Sequence, residues 1–542
     1  MFWLVREALI DDAYITLSYA RNLATHLHWG LIPTEPANSA TSPLNVLLLG
    51  GTTALLRLSG GVYPVWGLGV VFVGSAVALA WWWSRIADAL RLPLLVPALG
   101  VALVLLNPFV LSATGLEVLL IPAVLVGMLA AAVRGRPVAF GALSGLAVLT
   151  RLDLIVFVFP LALASAGVRG RLPRAMAAGI AVSLPWFAWS WWYFGSAIPD
   201  TFVIKTLQGS FGSWTFGNGL LLYLQRDALA TAVTFIPALL GLVALLGWAV
   251  EGLLRRNATR PELVPAVALG AAGGGYYLVY VLLGVPPYQW YYVPSLAALS
   301  TSLCVLLGAA LRSGRVRRRA VAVPGFALVA CLVAGSLVAD VRGDVPWRVP
   351  VIFGNWATPG DYARVGRQLG ERVGSATVIA PPEIGTLAYF CQCSIVDAFA
   401  DRGRVVPLIE QRVAAAGPVV GALLEFNYLL LDHDQRPRPA QYRLVWESGP
   451  ATEPEQWQTW SPATGVGRLR LVELPAAPNG SGHQPAHVLH HILHEEELGP
   501  KGDAIVERLP EGHAADDPDR RAPAHGAEGL AGLAANHEIE FP

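Results

Sequence analysis

Two adjacent carboxylates, Asp11 and Asp12, open the stretch LIDDAYITLSYARNLA (9–24) near the start of a strongly apolar chain. Neighbouring aspartates can cap a helix, hold a divalent cation, or take a proton from a hydroxyl as a general base. Capping needs only one of them, and a carboxylate beside membrane spans is costly to leave idle. Three further charged groups stand out in apolar surroundings: Glu117, Arg151 and Lys205. Of the 38 basic residues only Lys205 and Lys501 are lysine, so Lys205 sits where arginine is the usual choice. A carboxylate base and fixed cations suit displacement of a phosphate leaving group, whose developing charge is best stabilised where water is scarce. Each has a plainer alternative. Asp11 caps its own helix, Glu117 is a solvated loop end, Arg151 pairs with Asp153, and Arg21 meets lipid headgroups. The aromatics of PPYQWYYVP (286–294), with Tyr288 and Tyr291, form an interfacial belt or stack on a sugar.

The elements that position these residues follow from composition. The chain has 542 residues, 54% hydrophobic and 14% charged, with mean hydropathy +0.51. A soluble domain carries roughly a quarter charged residues, so this is a polytopic membrane protein. Its zero net charge gives no basis for nucleic-acid binding. Apolar runs near the ~20 residues that cross a bilayer fall at 63–83, 94–111, 116–133, 175–194, 228–250, 263–283, 290–311 and 320–339. The run 138–166 is broken by Arg151-Leu152-Asp153 and reads as two short helices meeting at a polar apex, which makes ten spans. Gly273-Gly274-Gly275 lies within a span and reads as close helix packing.

Arginines cluster in alternate loops, at 85/91, 134/136, 169/171/174, 255/256/260 and 312–319. That side is expected to be cytoplasmic. Loops 112–117, 151–153, 195–227 and 284–289 then lie outside, with residues 340 onward, provided that 42–58 lies along the surface. Asp11 and Asp12 also fall outside, which requires a span before them. Residues 1–10 are too short, so they read as the stub of a truncated first helix behind a misassigned start codon.

The opening helix places Ala13, Leu17, Ala20, Ala24 and Leu27 on one face, with Asp11, Ser18 and Asn22 roughly opposite and Asp12 on the flank. Residues 11–62 form an outer loop with interfacial helices, and 63–339 form the bundle. Residues 340–475 form a small α/β domain, with strands in SATVIAPP, CSIVDAF, YLLLDHD and RLVWES and helices at 360–373 and 404–416. Residues 476–542 hold eight of the eleven histidines and read as a disordered tail. The cysteine spacing implies no disulfide framework. The fold class expected is mainly α, a polytopic transmembrane bundle with a small α/β extracytoplasmic domain.

Several motifs, in order, resemble one family. DDAYITLSYARNLA followed by TSPLNVLLL is similar to the first outer loop of GT-C-type glycosyltransferases, the multispan enzymes that use lipid-phosphate sugars. The resemblance is greatest to the bacterial group that includes the mycobacterial cell-wall arabinofuranosyltransferase. SATGLEVLL (112–120) resembles its Ser-Gly-Leu-Glu turn. GLAVLTRLD (145–153) resembles its Leu-x-Arg-Pro-Asp apex, with Leu152 in place of Pro. WYFGSAIPDTFVIKT (192–206) resembles its Pro-Asn-Thr-Phe-x-x-Lys loop, with Asp200 in place of Asn. EIGTLAYFCQCSIVDAFADRG (383–403) resembles an outer-domain segment, with Glu383 in place of Asp.

The resemblance implies an inverting transfer from a polyprenyl-phosphate sugar to a cell-envelope glycan, lipid or protein at the extracytoplasmic face. Asp11 is then the base and Asp12 orients it or holds a divalent cation such as Mg or Mn, or the two exchange roles. Arg151, Lys205 and Arg21 hold the donor phosphate, while Glu117, Tyr288 and Tyr291 meet sugar or acceptor. Rival classes are a transporter or flippase of lipid-linked sugar, which predicts mid-bilayer charge and inverted repeats, and a non-catalytic envelope-assembly protein on the same fold.

Overall fold

A computed structural model describes residues 1–207, 211–254, 260–313, 316–342 and 345–475. The tail 476–542 lies outside the described residues, as do Arg255, Arg256 and Arg315. The opening helix α1 (Asp11–His26) is followed by α2 (Pro43–Arg57) and the apolar helices α3 (Pro64–Leu90), α4 (Leu95–Ser112) and α5 (Glu117–Val133). Then come α6 (Pro137–Thr150), α7 (Leu152–Ala164), α8 (Leu172–Phe194), the short α9 (Thr201–Leu207), α10 (Ala228–Leu254), α11 (Pro261–Leu282), α12 (Gln289–Leu311) and α13 (Val316–Val341).

Among the described residues six helices are long and apolar enough to cross a membrane. They are α3, α4, α10, α11, α12 and the greater part of α13. The other four expected spans are present as helices too. Three, α5, α6 and α7, are shorter apolar helices, and α8 has 23 residues but ends in the tryptophan-rich WFAWSWWYF. The apex between α6 and α7 falls at Arg151, as its sequence pattern requires. Residues 43–57 form one helix, packed on α1 and α3.

Helix α12 is the most enclosed span and packs against α10 and α11. Water exclusion does little between helices in lipid, so close contact and interhelical hydrogen bonds must hold them. Gly273 supplies both: a Cβ there would stand 2.8 Å from Ala298 Cβ, and Ser295 Oγ donates to its carbonyl at 2.8 Å. Gly274 and Gly275 face open space, so only the first of the three glycines serves packing.

The outer domain comprises α14 (Pro359–Val373), β1 (Thr377–Ile379), α15 (Gly385–Cys391), β2 (Ser394–Val396), α16 (Arg402–Ala414), α17 (Pro418–Asn427), β3 (Tyr442–Ser448), β4 (Trp457–Ser461) and β5 (Gly465–Glu473). Its mixed sheet runs β2-β1-β3-β5-β4, with β2, β1 and β3 parallel and β3, β5 and β4 antiparallel. YLLLDHD is not the expected strand: α17 ends just before it, and the segment turns without joining the sheet. Cys391 and Cys393 are joined by a disulfide at the end of α15, a local link that the cysteine spacing did not suggest.

The opening helix also departs from its expected amphipathic form. Ala13, Leu17 and Ala20 are buried, but Leu27 is exposed and ends the helix in the left-handed conformation. Asp11, Ser18 and Asn22 are buried as well. The cause is that α1 lies between α2 on one side and α15 on the other, so the outer domain covers its polar face.

Candidate active site

Asp11 does not cap its own helix; Ile10 occupies that position without a side-chain bond. Its carboxylate caps α15 instead. Oδ2 accepts from the Gly385 N–H at 2.8 Å and Oδ1 from the Thr386 N–H at 2.7 Å. Those amides open a short helix whose first N–H groups lack intrahelical partners and whose dipole favours a negative charge. A glycine is needed there, because a Cβ at 385 would stand 2.0 Å from the Asp11 carbonyl oxygen.

Arg21 completes the clamp. It donates from Nη1 to the Tyr389 carbonyl at 2.7 Å and lies 4.6 Å from the centre of the Tyr389 ring. Helix α1 thus grips α15 with an acid at its N-terminus and a base on a carbonyl of its last turn. Arg21 is brought to the outer domain, and its contacts do not run to Arg151 or Lys205.

Asp11 is buried beside Glu383, which accepts from Asn355 Nδ2 at 3.0 Å, Trp356 N at 2.8 Å and the Tyr362 hydroxyl at 2.7 Å. Burial, with the charges of Glu383 and Asp12, raises the Asp11 pKa to about 7 despite the two backbone bonds. Asp12 is half-buried on the flank of α1.

The second group forms around the apex. Arg151 donates from Nη1 to Glu117 Oε1 at 3.0 Å, from Nη2 to Asp153 Oδ2 at 2.6 Å, and from Nη2 to the Tyr280 hydroxyl at 3.0 Å. Tyr276 donates to the same Asp153 oxygen at 2.8 Å. The plainer reading of Arg151 holds: it pairs with Asp153, and also with Glu117, which is buried and not a solvated loop end. Tyr276 and Tyr280 were missed as partners. Their spacing of four within an apolar span was the signal, since two hydroxyls on one helix face in lipid need acceptors.

Lys205 joins this group through Tyr291. Its Nζ donates to the Tyr291 hydroxyl at 3.2 Å and lies 5.1 and 5.6 Å from the ring centres of Tyr288 and Tyr291. The Arg151 guanidinium lies 5.0 Å from the same Tyr291 ring. Burial opposes the charge on Lys205, but Tyr291 and Asp12 outweigh it, and the ammonium pKa stands above its ordinary value. Trp290, Tyr291 and Tyr292 are buried, so these aromatics are a packed platform and not a lipid-facing belt.

The loop carrying Lys205 is pinned from behind. Asp200 N donates to the Asn38 carbonyl at 2.8 Å, and Thr201 Oγ1 donates to the Ser39 carbonyl at 2.5 Å. The structure therefore brings Glu117, Arg151, Tyr288, Tyr291 and Lys205 into one group with Asp12 at its edge, while Asp11 and Arg21 hold the outer domain. Among the described residues no cluster of three or more His, Cys, Asp or Glu could hold a metal ion.

No family model and no curated protein matches the chain. Among solved structures it is similar to ArnT from Cupriavidus metallidurans bound to undecaprenyl phosphate. That match has a TM-score of 0.50 and 16% identity, over 82% of this chain and 90% of that one. The archaeal oligosaccharyltransferase AglB from Archaeoglobus fulgidus, in complex with an inhibitory peptide and a dolichol-phosphate, is similar at a TM-score of 0.49 and 12% identity. There 82% of this chain covers 66% of the other. At such identities the likeness is one of fold, and the polytopic helical bundle with a small α/β domain is the fold expected from the sequence.

Proposed function

We propose that the protein is an integral membrane glycosyltransferase that moves a sugar from a polyprenyl phosphate to a cell-envelope acceptor at the extracytoplasmic face. The observation that carries this reading is Lys205, whose ammonium is held by the Tyr291 hydroxyl on the Tyr288–Tyr291 platform at the ends of apolar helices and feels the charge of half-buried Asp12. The ArnT fold was captured with undecaprenyl phosphate, a ligand of the implied class.

In this reading Asp12 is the base, and Asp11 is the positioning residue that holds the outer domain. An acceptor hydroxyl attacks the anomeric carbon as Asp12 takes its proton. The bond from that carbon to the phosphate oxygen breaks, and the lipid phosphate leaves toward Lys205. A single displacement inverts the anomeric centre. Lys205 is the principal phosphate partner, because the charge of Arg151 is already met by two carboxylates. Arg151 instead keeps Glu117 and Tyr291 in place for sugar or acceptor. No step is routed through a metal.

The test is transfer in proteoliposomes supplied with a panel of polyprenyl-phosphate pentoses and hexoses. Asp12→Asn should lower turnover by about 10²–10⁴-fold, the usual contribution of a general base, with donor binding retained. Transfer by Asp12→Asn at the wild-type rate would remove the base assignment. Absence of transfer by the wild-type protein from every donor in the panel would remove the glycosyltransferase reading.

A further inference from the structure

The outer domain carries an apolar surface that nothing in the active site explains. Helix α17 and the turn after it, PVVGALLEFNYLLL (418–431), are apolar all round, with Glu425 the only charge. A helix of that kind belongs in an interior or against lipid. One face does pack inside: Leu424, Tyr428 and Leu431 form a core with Val405, Val406 and Ile409 of α16 and with Val203 and Ile204 of α9. The other face is open. Val419, Leu423, Phe426 and Leu429 are 73%, 65%, 63% and 65% exposed, and Val420 and Leu430 are exposed beside them. Patches of this size on a domain surface mark contact with a protein or a membrane.

Its neighbour identifies the partner. Trp191, near the end of α8, donates from Nε1 to the Phe426 carbonyl at 3.2 Å, and the two rings lie 5.0 Å apart. Asn427 Oδ1 accepts from Ala197 N at 3.0 Å and Ile198 N at 2.9 Å, just beyond that helix. Gly195, at φ 74, lies so close to the Leu430 carbonyl that a Cβ would stand 2.5 Å from it. Helix α17 is thus fastened to the end of α8. Along α8 itself Met176, Ile180 and Leu184 are exposed, and Trp189, Trp192 and Tyr193 are exposed near its end, an apolar surface that finishes in aromatics. That order, aliphatic and then Trp and Tyr, is the pattern of a helix surface passing from acyl chains to headgroups. Helix α17 is fastened to that surface at its aromatic end.

We propose that the outward face of α17, led by Leu423 and Phe426, lies in the bilayer at headgroup and upper acyl-chain depth, as an interfacial anchor for the outer domain. A helix of this length spans about 15 Å, enough to lie flat as a monotopic segment. The opposite face of α17 shares a core with Val203 and Ile204 of α9, the helix that carries Lys205. The anchor therefore fixes the height of the Lys205 ammonium relative to the lipid surface.

The experiment reads depth and not turnover, so it stands or falls apart from the proposed function. Full-length protein carrying Cys331→Ala and Leu423→Cys is labelled with a bimane and reconstituted in phosphatidylcholine liposomes. Gln411→Cys, on an exposed site of α16, serves as the aqueous control. The Leu423 probe should be blue-shifted, shielded from iodide and quenched by lipids bearing a doxyl group on an upper acyl carbon; the Gln411 probe should show the reverse. Equal iodide quenching at both sites would overturn the proposal. So would a Leu423 probe shielded from iodide yet untouched by doxyl lipid, the signature of a second protein copy on this face. Labelling Phe426→Cys repeats the measurement should Leu423→Cys fail to fold.

Discussion

Replacing Asp11 with Asn separates its anchoring role from catalysis and carries a signed prediction. The ordinary pKa of 3.8 rises to about 7 in the folded protein, chiefly through burial and then through the Glu383 charge, with Asp12 adding to it. A raised folded pKa means that the ionised form is disfavoured on folding. The protein is therefore stabilised most below about pH 4, and that stability is lost as pH rises through about 7. At 1.36 kcal/mol per pH unit the loss is about 4 kcal/mol. Asparagine carries no charge and escapes it. Its single carbonyl oxygen can serve only one of the Gly385 and Thr386 amides, however, and leaving the other unmet costs about 1–3 kcal/mol at any pH. Wild type has already lost about 1 kcal/mol at pH 4.5, so Asp11→Asn should be the less stable protein there by up to about 2 kcal/mol, and equal or superior to wild type near pH 8. Asp200 and Asp397, whose pKa values burial also lifts to about 6, are common to both proteins and cancel in the difference. The assay is hydrogen exchange at the Gly385 and Thr386 amides in nanodiscs, with both proteins compared at each pH. A difference that stays flat from pH 4.5 to 8, or moves against the variant as pH rises, would refute the reasoning.

Two further outcomes test the framework around the site. Glu117→Gln removes one of the two carboxylates on Arg151 and leaves it with Asp153; losing a bond to a charged group costs about 1.5–3 kcal/mol. Thermal unfolding in detergent should register most of it, and an unchanged midpoint would show that Asp153 suffices. Gly385→Ala drives a methyl group against the Asp11 backbone. It should loosen the outer domain and speed proteolysis between residues 340 and 385, with the bundle left intact. Normal protease resistance would mean that α15 can shift to admit the methyl.

Local patterns were legible where the physics is local. The break at Arg151-Leu152-Asp153 was visible because charge cannot continue an apolar helix without a turn or a partner, and helices 360–373 and 404–416 followed from their apolar spacing. YLLLDHD failed as a strand because a short apolar run has no period to decide its form. Sequence does not decide between a belt and a platform for Tyr288–Tyr292, because Trp and Tyr look alike whether they face headgroups or a cation. Neither the Asp11–Gly385 contact nor the meeting of Glu117 and Tyr280 at Arg151 has a local sign. Those partners are fixed by the fold, and only charged or hydroxyl groups in apolar surroundings announced that partners must exist.

The clamp on α15 also has a consequence in time. Asp11 is made before α3–α13, and the amides that satisfy it belong to residues 385 and 386, made after them. While the bundle is inserting, that carboxylate and Arg21 have nothing to hold, and the polar side of α1 lies uncovered. The final shape of α1, and with it the setting of Asp12, waits on a domain made after the last span. A chain arrested after α13 would carry Arg151 at its apex and Lys205 in its helix, but the edge of the site would still be unmade. Synthesis of the outer domain is thereby written into the site itself.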